Sequence, residues 1–260
     1  MEISVKKKVV IVTGAAKGIG KAIAEAFARE GAILSLWDID SEKLESTIID
    51  ISKISENSLL GIKCDVSSEK DVDVAIKKTI EAFGTVDVLV ANAGILNPSK
   101  ILDTTSEKWD QVFDVNTKGP FLCAKAVAPY MKDKNCGRII FASSFAAIIP
   151  SVGSAAYAAS KSAIVSLTRV LAAELGPWNI TVNSYAPGMV PSDMSGIELL
   201  DESRKNEMLD TLCIREWGAA EDIASLIIFL ASSQARYITG TLIDASGGKF
   251  SVQFSKYARI

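Results

Sequence analysis

The stretch Val9-Val-Ile-Val-Thr-Gly-Ala-Ala-Lys-Gly-Ile-Gly20 joins a short apolar run to a glycine-rich turn. Residues 9–12 have the length and β-branched composition of a strand that is buried on both faces. Directly after the turn, Ile19, Ile23 and Phe27 recur at the spacing of one helix face. The sequence therefore predicts a strand, a tight turn and a helix in immediate succession.

Three glycines give this turn a specific chemistry. Gly14 permits a tight turn, Gly18 lets the backbone approach a pyrophosphate, and Gly20 lets the helix pack closely on the sheet. The free N–H groups and the positive dipole at the helix N-terminus favour phosphate binding. Glycines alone are a weak signal, but the strand–turn–helix context is specific. We therefore predict a dinucleotide site here, which also includes Lys17 and Ile19.

Further apolar runs alternate with helical patterns along the rest of the chain. These runs lack an in/out alternation, as do strands of a parallel sheet that is covered by helices on both faces. The repeated strand–helix units predict an α/β protein with a doubly wound parallel sheet, a single-domain Rossmann fold. The expected strands are residues 9–12, 32–37, 59–64, 86–90, 138–142, 180–185 and 241–245.

The length of 260 residues fits one domain, residues 1–260, better than two small ones. Residues 106–131 have the pattern of one long helical region that Pro120 and Pro129 perturb. The irregular segment 189–217 leaves the carboxyl end of the sixth strand, where such sheets bind ligands, so we expect a substrate-binding lid; the alternative is an ordinary surface excursion. The apolar, aromatic tail 249–260 is expected to pack on a neighbouring subunit.

Composition excludes several classes of function. The chain has no histidine, which rules out a Ser-His-Asp triad, a Cys-His pair and a histidine metal site or general base. A net charge of −3 gives no electrostatic footprint for nucleic acid or anionic membranes. No apolar stretch approaches the roughly 20 residues that span a bilayer. The four cysteines form no C-x-x-C pair, so we expect no metal and reduced thiols in a cytoplasmic protein.

Asp38 and Lys17 make opposite predictions about the nucleotide. Asp38 ends the second strand 18 residues after Gly20, where an acid accepts hydrogen bonds from the adenosine ribose hydroxyls. The same carboxylate would repel a 2′-phosphate, which favours NAD over NADP. Lys17 in the glycine loop favours NADP, because a cation there reaches a 2′-phosphate. We give Asp38 the greater weight; its alternative role is a helix cap, which Asp40 or Ser41 could also provide.

Polar residues follow the third and fourth strands at the edge expected to face the cofactor. Asp65 and Val66 follow the third strand, and Asn92, Ala93 and Gly94 follow the fourth. We predict that they line the cofactor site. Ordinary turn chemistry, for which Asn and Asp are common, is the alternative for each polar residue.

Tyr157 and Lys161 are the best candidates for acid–base chemistry without histidine. They are four residues apart in a helical pattern and therefore share a face. An ammonium about 5 Å from a phenol favours the phenolate by roughly 3 kcal/mol at an effective dielectric near 20. This predicts a tyrosine pKa lowered by about two units, toward the range of a general base. Ser144, at the end of a buried strand, is expected to donate to a substrate carbonyl.

The chain also contains a second Y-x-x-x-K pair, Tyr130 and Lys134, which tests how specific the spacing is. That pair follows Pro129 and lies in a polar stretch typical of a solvated helix end. Tyr157 lies 13 residues beyond Ser144, whereas the residue 13 before Tyr130 is Thr117, inside a helical pattern. The context therefore favours Tyr157.

Taken together, these features resemble the short-chain dehydrogenase/reductase family, in its T-G-x-x-x-G-x-G branch. The resemblance extends from Lys8 to about Gly248 and implies a Rossmann fold with a seven-stranded sheet, usually in a homotetramer or a homodimer. The residues and motifs that carry it are Thr13–Gly20, Asp38, Asp65, Ala91-Asn92-Ala93-Gly94, Asn116, Ser144, Tyr157, Lys161 and Pro187-Gly188.

The resemblance also implies roles for individual residues. Tyr157 would be the general acid/base, Lys161 would bind the nicotinamide ribose and lower the tyrosine pKa, and Ser144 would orient the carbonyl. Asn116 would hold a water that relays protons from Lys161. Further contacts with the cofactor are implied for Pro187, Gly188, Val190, and Ser192, where the family often has Thr.

The sequence thus predicts an NAD(H)-dependent oxidoreductase that interconverts a secondary alcohol and a ketone, on a small-molecule substrate and without a nucleic-acid or membrane partner. The expected substrate wall mixes apolar and hydroxyl side chains, which suits a polyol, a sugar or a small hydroxy-ketone. Two alternatives remain: an NADPH-dependent 3-oxoacyl-acyl-carrier-protein reductase, and a catalytically silent dinucleotide sensor. The wall is Ile95, Ser144, Phe145, Ile148, Ser151, Tyr157 and Met194, for some of which core packing is the alternative.

Overall fold

The computed structural model describes residues 3–249, 251–252 and 255–256. Within them, seven strands form one parallel sheet in the order β3-β2-β1-β4-β5-β6-β7. This confirms the predicted doubly wound sheet, and every predicted strand boundary falls within two residues. The strands are β1 (Val9–Thr13), β2 (Ile33–Asp38), β3 (Leu59–Lys63), β4 (Val88–Ala91), β5 (Gly137–Ala142), β6 (Ile180–Pro187) and β7 (Leu242–Ala245).

Helices cover both faces of the sheet. On one face α1, α2 and α8 pack against the apolar cluster that contains Val10 and Val12. On the other face α3, α5 and α6 pack against the cluster that contains Ile11. Alternate residues of β1 therefore enter opposite cores, as the unbroken apolar run predicts. The helices are α1 (Gly18–Arg29), α2 (Ser41–Ser52), α3 (Glu69–Phe83), α4 (Ser106–Phe113), α5 (Gly119–Asp133), α6 (Ala155–Leu175), α7 (Glu202–Leu209) and α8 (Ala220–Ala231).

The helical region at residues 106–131 is interrupted just before Pro120, one of the two prolines expected to perturb it, whereas Pro129 lies within a continuous helix. It divides into α4, a π-helical turn at Asp114–Lys118, and α5. Pro120 lies at the start of α5 and has no N–H to donate to the preceding turn, so the regular hydrogen bonding is interrupted before it. The wider turn carries Asn116, which is fully buried.

The segment 189–217 is more ordered than its irregular pattern predicted. It contains a 3₁₀ turn at Ile197–Leu199 as well as α7. Met189, Ile197 and Leu212 are buried in a small apolar cluster of their own, separate from the two main cores. Within the described residues, no helix is both long enough and apolar enough to cross a membrane.

The tail 249–260 falls largely outside the described residues, which include neither Phe250 nor Phe254. Its predicted packing on a neighbouring subunit therefore stays a prediction. Ser255 is described, and its hydroxyl donates to the carbonyl of Asp210 at 2.9 Å. This part of the tail contacts the end of the lid segment.

Strand order places the candidate site. β1 lies between β2 and β4, so the chain leaves β1 toward one side of the sheet and later returns to the other. In doubly wound sheets a crevice opens at this switch point, at the carboxyl ends of the strands. The glycine loop and the segments after β2, β4, β5, β6 and β7 all lie at this edge.

Candidate active site

The glycine loop forms a cradle that side chains would fill. Gly14 has a φ of +65°, and a Cβ there would lie 2.8 Å from the Cα of Ala93. At Gly20 a Cβ would lie 1.9 Å from the carbonyl oxygen of Gly14, so the helix and the turn touch backbone to backbone. Gly18, in contrast, has open space in front of it. This closely packed turn with an open outer side fits a bound pyrophosphate.

Asn92 braces this cradle from the end of β4. Its side-chain amide donates to the carbonyls of Thr13 and Gly14, at 3.2 and 3.3 Å. Its carbonyl oxygen accepts a hydrogen bond of 3.0 Å from the hydroxyl of Tyr185. The side chain of Asn92 is therefore committed to protein contacts, and its predicted role is served by holding the glycine loop. The Thr13 hydroxyl accepts from the backbone N–H groups of Asn92 and Ala93.

Tyr185 was missed by the sequence analysis. It is fully buried in β6. Burial raises the pKa of its phenol, and the neighbouring Tyr157 raises that pKa further. The available signal was a tyrosine near the carboxyl end of the predicted sixth strand, because a buried tyrosine hydroxyl needs a hydrogen-bond partner.

Asp38 lies at the end of β2 beside the glycine loop. One carboxylate oxygen accepts from the N–H of Ala16, and the other from the N–H of Asp40, both at 2.9 Å. Asp40 caps α2 by accepting from the N–H of Lys43. The carboxylate of Asp38 is therefore not the cap of that helix and is held against the loop.

Lys17 forms an ion pair with the lid segment. Its ammonium forms an ion pair of 2.9 Å with the carboxylate of Asp193, and both side chains are exposed. The pair spans the outside of the crevice, from the glycine loop to the segment after β6.

Asp65 lies at the carboxyl edge after β3, and Val66 is buried. One carboxylate oxygen of Asp65 accepts from the N–H and the hydroxyl of Ser67 at 2.9 and 2.7 Å. Val66 packs against Gly119 so closely that a Cβ there would lie 2.8 Å from the Val66 side chain.

Ser144, Tyr157 and Lys161 come together from β5 and α6. Ser144 and Lys161 are buried; the Ser144 hydroxyl accepts from the N–H of Ala146 at 3.1 Å and lies close enough to the Tyr157 phenol to act on its pKa. The ammonium of Lys161 lies 5.7 Å from the centre of the Tyr157 ring and donates to the carbonyl of Ala142 at 2.9 Å. The hydroxyl of Ser143 donates to the backbone carbonyl of Lys161 and fixes α6 to the end of β5.

The charge state of this group differs from the sequence-based expectation. Burial raises the pKa of Tyr157, and Ser144 only partly offsets that rise. The predicted lowering by Lys161 is absent, so that expectation was wrong for the protein without ligand. Burial also lowers the pKa of Lys161 to about 8, which weakens its electrostatic effect on the phenol. The physical reason is that desolvation opposes both charged forms.

The side chains of Asn116 and Lys161 lie close together next to Gly94. Its carbonyl oxygen accepts from the N–H of Ile95 at 2.8 Å, and its amide donates to the Ile95 carbonyl and to the Ser160 hydroxyl. A Cβ on Gly94 would lie 3.2 Å from the Asn116 carbonyl oxygen and 3.3 Å from the Lys161 nitrogen. The structure thus brings the side chains of Asn116 and Lys161 together on the same side of Gly94.

The segment after β6 forms another wall. A Cβ on Gly188 would come within 2.5 Å of the backbone of Ser246, which follows β7. Pro187 ends β6 and Val190 is buried. Ser192 caps a short turn by accepting from the N–H of Ser195.

The predicted substrate residues separate into two groups. Phe145 is partly buried and packs against the lid cluster of Met189, Ile197 and Leu212. Ile148, Ser151 and Met194 are exposed, so the core-packing alternative for Ile148 is wrong. Ile95 is partly buried beside Asn116.

The second Y-x-x-x-K pair lies elsewhere. Tyr130 is on α5, and Lys134 pairs with Asp87 and the Thr85 hydroxyl at the opposite edge of the sheet, before β4. The preference for Tyr157, which was based on context, is supported by this placement.

Sequence comparisons agree with the fold. A family model described as enoyl-(acyl carrier protein) reductase matches residues 14–249. The human dehydrogenase/reductase SDR family member 4 is 37% identical over 243 residues, which cover 93% of this chain and 87% of that protein. The 3-oxoacyl-(acyl-carrier-protein) reductase FabG of Staphylococcus epidermidis is 36% identical over 243 residues, covering 94% of this chain and 99% of that one.

Solved structures agree as well. Levodione reductase superposes with a TM-score of 0.91 at 31% identity, over 95% of this chain and 99% of that chain. A short-chain type dehydrogenase/reductase from Mycobacterium marinum gives a TM-score of 0.89 at 30% identity, over 96% and 98%. The fold and site define a nucleotide-binding oxidoreductase. The chain belongs to the short-chain dehydrogenase/reductase family, whose members are NAD(P)-dependent enzymes acting on CH–OH groups.

Proposed function

We propose that this enzyme interconverts a secondary alcohol and a ketone with NAD(H), and that Tyr157 is its general acid/base. The observation that carries the proposal is the convergence of Ser144, Tyr157, Lys161 and Asn116 at the carboxyl edge of the sheet, beside the glycine loop. A dinucleotide sensor would need the loop but not these four side chains. Their assembly therefore favours an enzyme over the sensor.

Each side chain has a distinct task in this proposal. The Ser144 hydroxyl, which lies close enough to the Tyr157 phenol to act on its pKa, orients the substrate oxygen between the two groups. Tyr157 gives a proton to that oxygen in reduction and removes one in oxidation. Lys161 places a positive charge 5.7 Å from the phenol ring, and Asn116 fixes the wall beside it.

The charge balance favours a neutral tyrosine in the resting enzyme. Burial raises the pKa of Tyr157, so its phenol holds the proton that carbonyl reduction needs. Alcohol oxidation requires the phenolate, whose formation Lys161 favours only in its ammonium form. Because the pKa of Lys161 is about 8, this assistance weakens in alkaline solution.

The residues that would hold the nucleotide are those of the glycine loop with Asp38, Asp65, Val66 and the segment 92–94. NAD would supply the hydride acceptor when bound. Two contacts support NAD over NADP. The Asp38 carboxylate is fixed at the loop by Ala16, and Asp193 neutralises Lys17, the cation that favoured NADP. Ser192, Val190, Gly188 and Pro187 complete the proposed cofactor wall.

A second candidate, reduction of 3-oxoacyl thioesters with NADPH, is favoured by the name of the 36% identical staphylococcal relative. The ion pair of Lys17 with Asp193 opposes it, because a 2′-phosphate would have to displace that carboxylate. The remaining proposals are a homotetramer or homodimer and a cytoplasmic location. No disulfide joins the four cysteines, all of which are described, and this supports a reducing compartment.

The test is NADH formation by the purified protein, with NAD and NADP run in parallel on secondary alcohols, polyols, aldoses and 3-hydroxyacyl thioesters. We expect turnover of a polyol, sugar or hydroxy compound with NAD. Turnover of the thioester alone, with NADP, would establish the second candidate instead. Equal activity in a Tyr157→Phe variant would overturn the mechanism for any substrate.

A further inference from the structure

Lys249 lies four residues beyond the end of β7, at the same edge of the sheet as the proposed active site. A tight turn fixes its backbone, because its N–H donates to the hydroxyl of Ser246 at 3.0 Å. The backbone of Ser246 lies against Gly188 at the end of β6. The carbonyl of Gly247 accepts from the N–H of Ile214 in the lid segment at 2.9 Å. Lys249 is therefore held between the sheet and the lid.

The ammonium of Lys249 lies beside the proposed substrate wall. It is 5.9 Å from the centre of the Phe145 ring, and Phe145 directly follows Ser144. It also hydrogen-bonds the hydroxyl of Thr211 in the lid. An ammonium has three N–H donors, and this hydrogen bond uses one of them. The group thus has donors left beside the residue that follows Ser144.

No acidic side chain of the described residues pairs with the ammonium of Lys249. Among the ion pairs of the described residues, none includes it, whereas Lys17 and Lys205 pair with Asp193 and Glu202. Burial lowers the pKa of Lys249. The hydroxyl of Thr211 and the face of Phe145 replace only part of the hydration that the ammonium loses on partial burial, and neither carries an opposite charge. Such a cation therefore favours an incoming anion.

We propose that Lys249 binds an oxyanion carried by the substrate, a carboxylate or a phosphate, and so selects anionic hydroxy and keto compounds over neutral ones. The inference rests on the proposed alcohol–ketone chemistry and adds the charge of the substrate to it. Phe145 separates the anion site from the reacting oxygen at Ser144 and sets the spacing between the two ends of the substrate.

A purely structural role is the alternative. In that role Lys249 only fastens the lid, through Thr211 and the face of Phe145. Removal of the ammonium would then weaken activity on all substrates alike. The two roles differ in whether the loss depends on the charge of the substrate.

The experiment compares pairs of substrates that share the reacting alcohol and differ in whether the other end carries a negative charge. The probes are 2-hydroxybutanoate and 3-hydroxybutanoate against their methyl esters, and glycerol 3-phosphate against glycerol. For wild type we expect kcat/KM to be higher for at least one anionic member than for its neutral partner. In Lys249→Met that ratio should fall by about 10- to 100-fold, as expected for loss of a charged hydrogen bond. Lys249→Arg should retain most of the ratio, and the matched lid variant Lys205→Met should retain all of it.

Opposite results would reject the inference. A wild-type preference for the neutral member of every pair, or a ratio unchanged in Lys249→Met, would overturn it. An equal fall in Lys205→Met would also overturn it, because the effect would then be general to positive charge in this region. The carboxylate and phosphate pairs distinguish which oxyanion is bound.

A binding measurement separates this inference from the proposed function. Calorimetric titration of the protein–NADH complex with acetoacetate and with inorganic phosphate needs no turnover. Binding of either that Lys249→Met abolishes would support the anion site even if no alcohol were oxidised. Oxidation of neutral alcohols without any such binding would leave the proposed function standing and reject the anion site.

Discussion

Tyr185 donates a hydrogen bond of 3.0 Å to the side chain of Asn92, which in turn donates to the carbonyls of Thr13 and Gly14. The hydroxyl of a residue in β6 thereby supports the turn after β1, on the other side of β4. Tyr185 is fully buried and Asn92 is partly buried, and an acceptor shielded from water that loses its donor costs free energy. The shape of the phosphate cradle thus depends on a side chain that has no access to the nucleotide.

We expect Tyr185→Phe to lower the free energy of unfolding by about 1–3 kcal/mol, because it leaves the Asn92 oxygen without its donor. It should also weaken NADH binding, since Asn92 positions Gly14. Urea unfolding and titration of NADH fluorescence measure the two effects. Tyr237→Phe is the matched control, because Tyr237 is 92% exposed. Equal results for the two variants would show that the Tyr185 hydroxyl contributes nothing.

Tyr157→Phe should lower kcat by about 10²- to 10⁴-fold, the usual contribution of a positioned acid–base group. The fold should persist, because the phenyl ring is retained. Tyr130→Phe, in the other Y-x-x-x-K pair, should leave kcat unchanged. Steady-state kinetics and circular dichroism on both variants test this, and a comparable loss in Tyr130→Phe would contradict the assignment.

Lys161 makes stability depend on pH in a defined direction. Its folded pKa is about 8, below the ordinary 10.5, so between these values the unfolded chain binds more protons than the folded one. The free energy of unfolding should therefore rise with pH across this window, by on the order of 3 kcal/mol in total. In Lys161→Met this contribution is absent. Between pH 8 and 10.5 the free energy of unfolding should rise more in wild type than in Lys161→Met. If the two free energies of unfolding change in parallel with pH, the lowered pKa of Lys161 is refuted.

The fold was largely predictable because its signals are local. The unbroken apolar run of β1, the glycines after it and the helical spacing from Ile19 each specify one element, and they are consistent with one another. Residues 106–131 show the limit of such signals. Their apolar spacing continues through the π-helical turn at Asp114–Lys118, and the proline that interrupts the hydrogen bonds does not itself reveal where the turn widens.

The sequence predicted which catalytic candidates come together in the site, but not their protonation behaviour. The spacing of Tyr157 and Lys161 predicted the attraction between a phenolate and an ammonium. The burial of both groups, which shifts their pKa values the other way, depends on how α6 packs against β5. The bracing role of Asn92 and the position of Lys249 were hidden for a related reason. The partners that define them, Tyr185 and Phe145, are distant in the sequence and meet them only in the folded protein.

Gly94→Ala should impair catalysis without unfolding the protein. The added Cβ would lie 3.2 Å from the Asn116 oxygen and 3.3 Å from the Lys161 nitrogen, so one of them must shift by a few tenths of an ångström. Displacements in this region misalign the reacting groups, and we expect kcat/KM to fall by about tenfold or more. Gly176→Ala is the matched control, since a Cβ there meets nothing within 4 Å. Equal kinetics in the two alanine variants would contradict the prediction.

The choice between NAD and NADP should depend on two carboxylates in different ways. Asp38→Asn removes the charge and keeps one oxygen that can accept from the N–H of Ala16, at the cost of the hydrogen bond from the N–H of Asp40. We expect the ratio of kcat/KM for NAD over NADP to fall by about tenfold or more, chiefly because the repulsion of a 2′-phosphate is lost. Asp193→Asn should act through Lys17, by releasing that ammonium from its 2.9 Å ion pair to meet the 2′-phosphate.

Measuring the two variants at different ionic strengths separates the effect of Asp38 on the NAD/NADP ratio from the effect of the Lys17–Asp193 pair. The pair of Lys17 and Asp193 is exposed and therefore screened by salt, so the gain for NADP in Asp193→Asn should shrink at high ionic strength. The effect of Asp38→Asn should persist there, because Asp38 is held against the loop and directly faces the proposed position of the extra phosphate. If neither variant changes the ratio at any ionic strength, then neither carboxylate determines the choice of nucleotide, and the preference for NAD loses its physical basis.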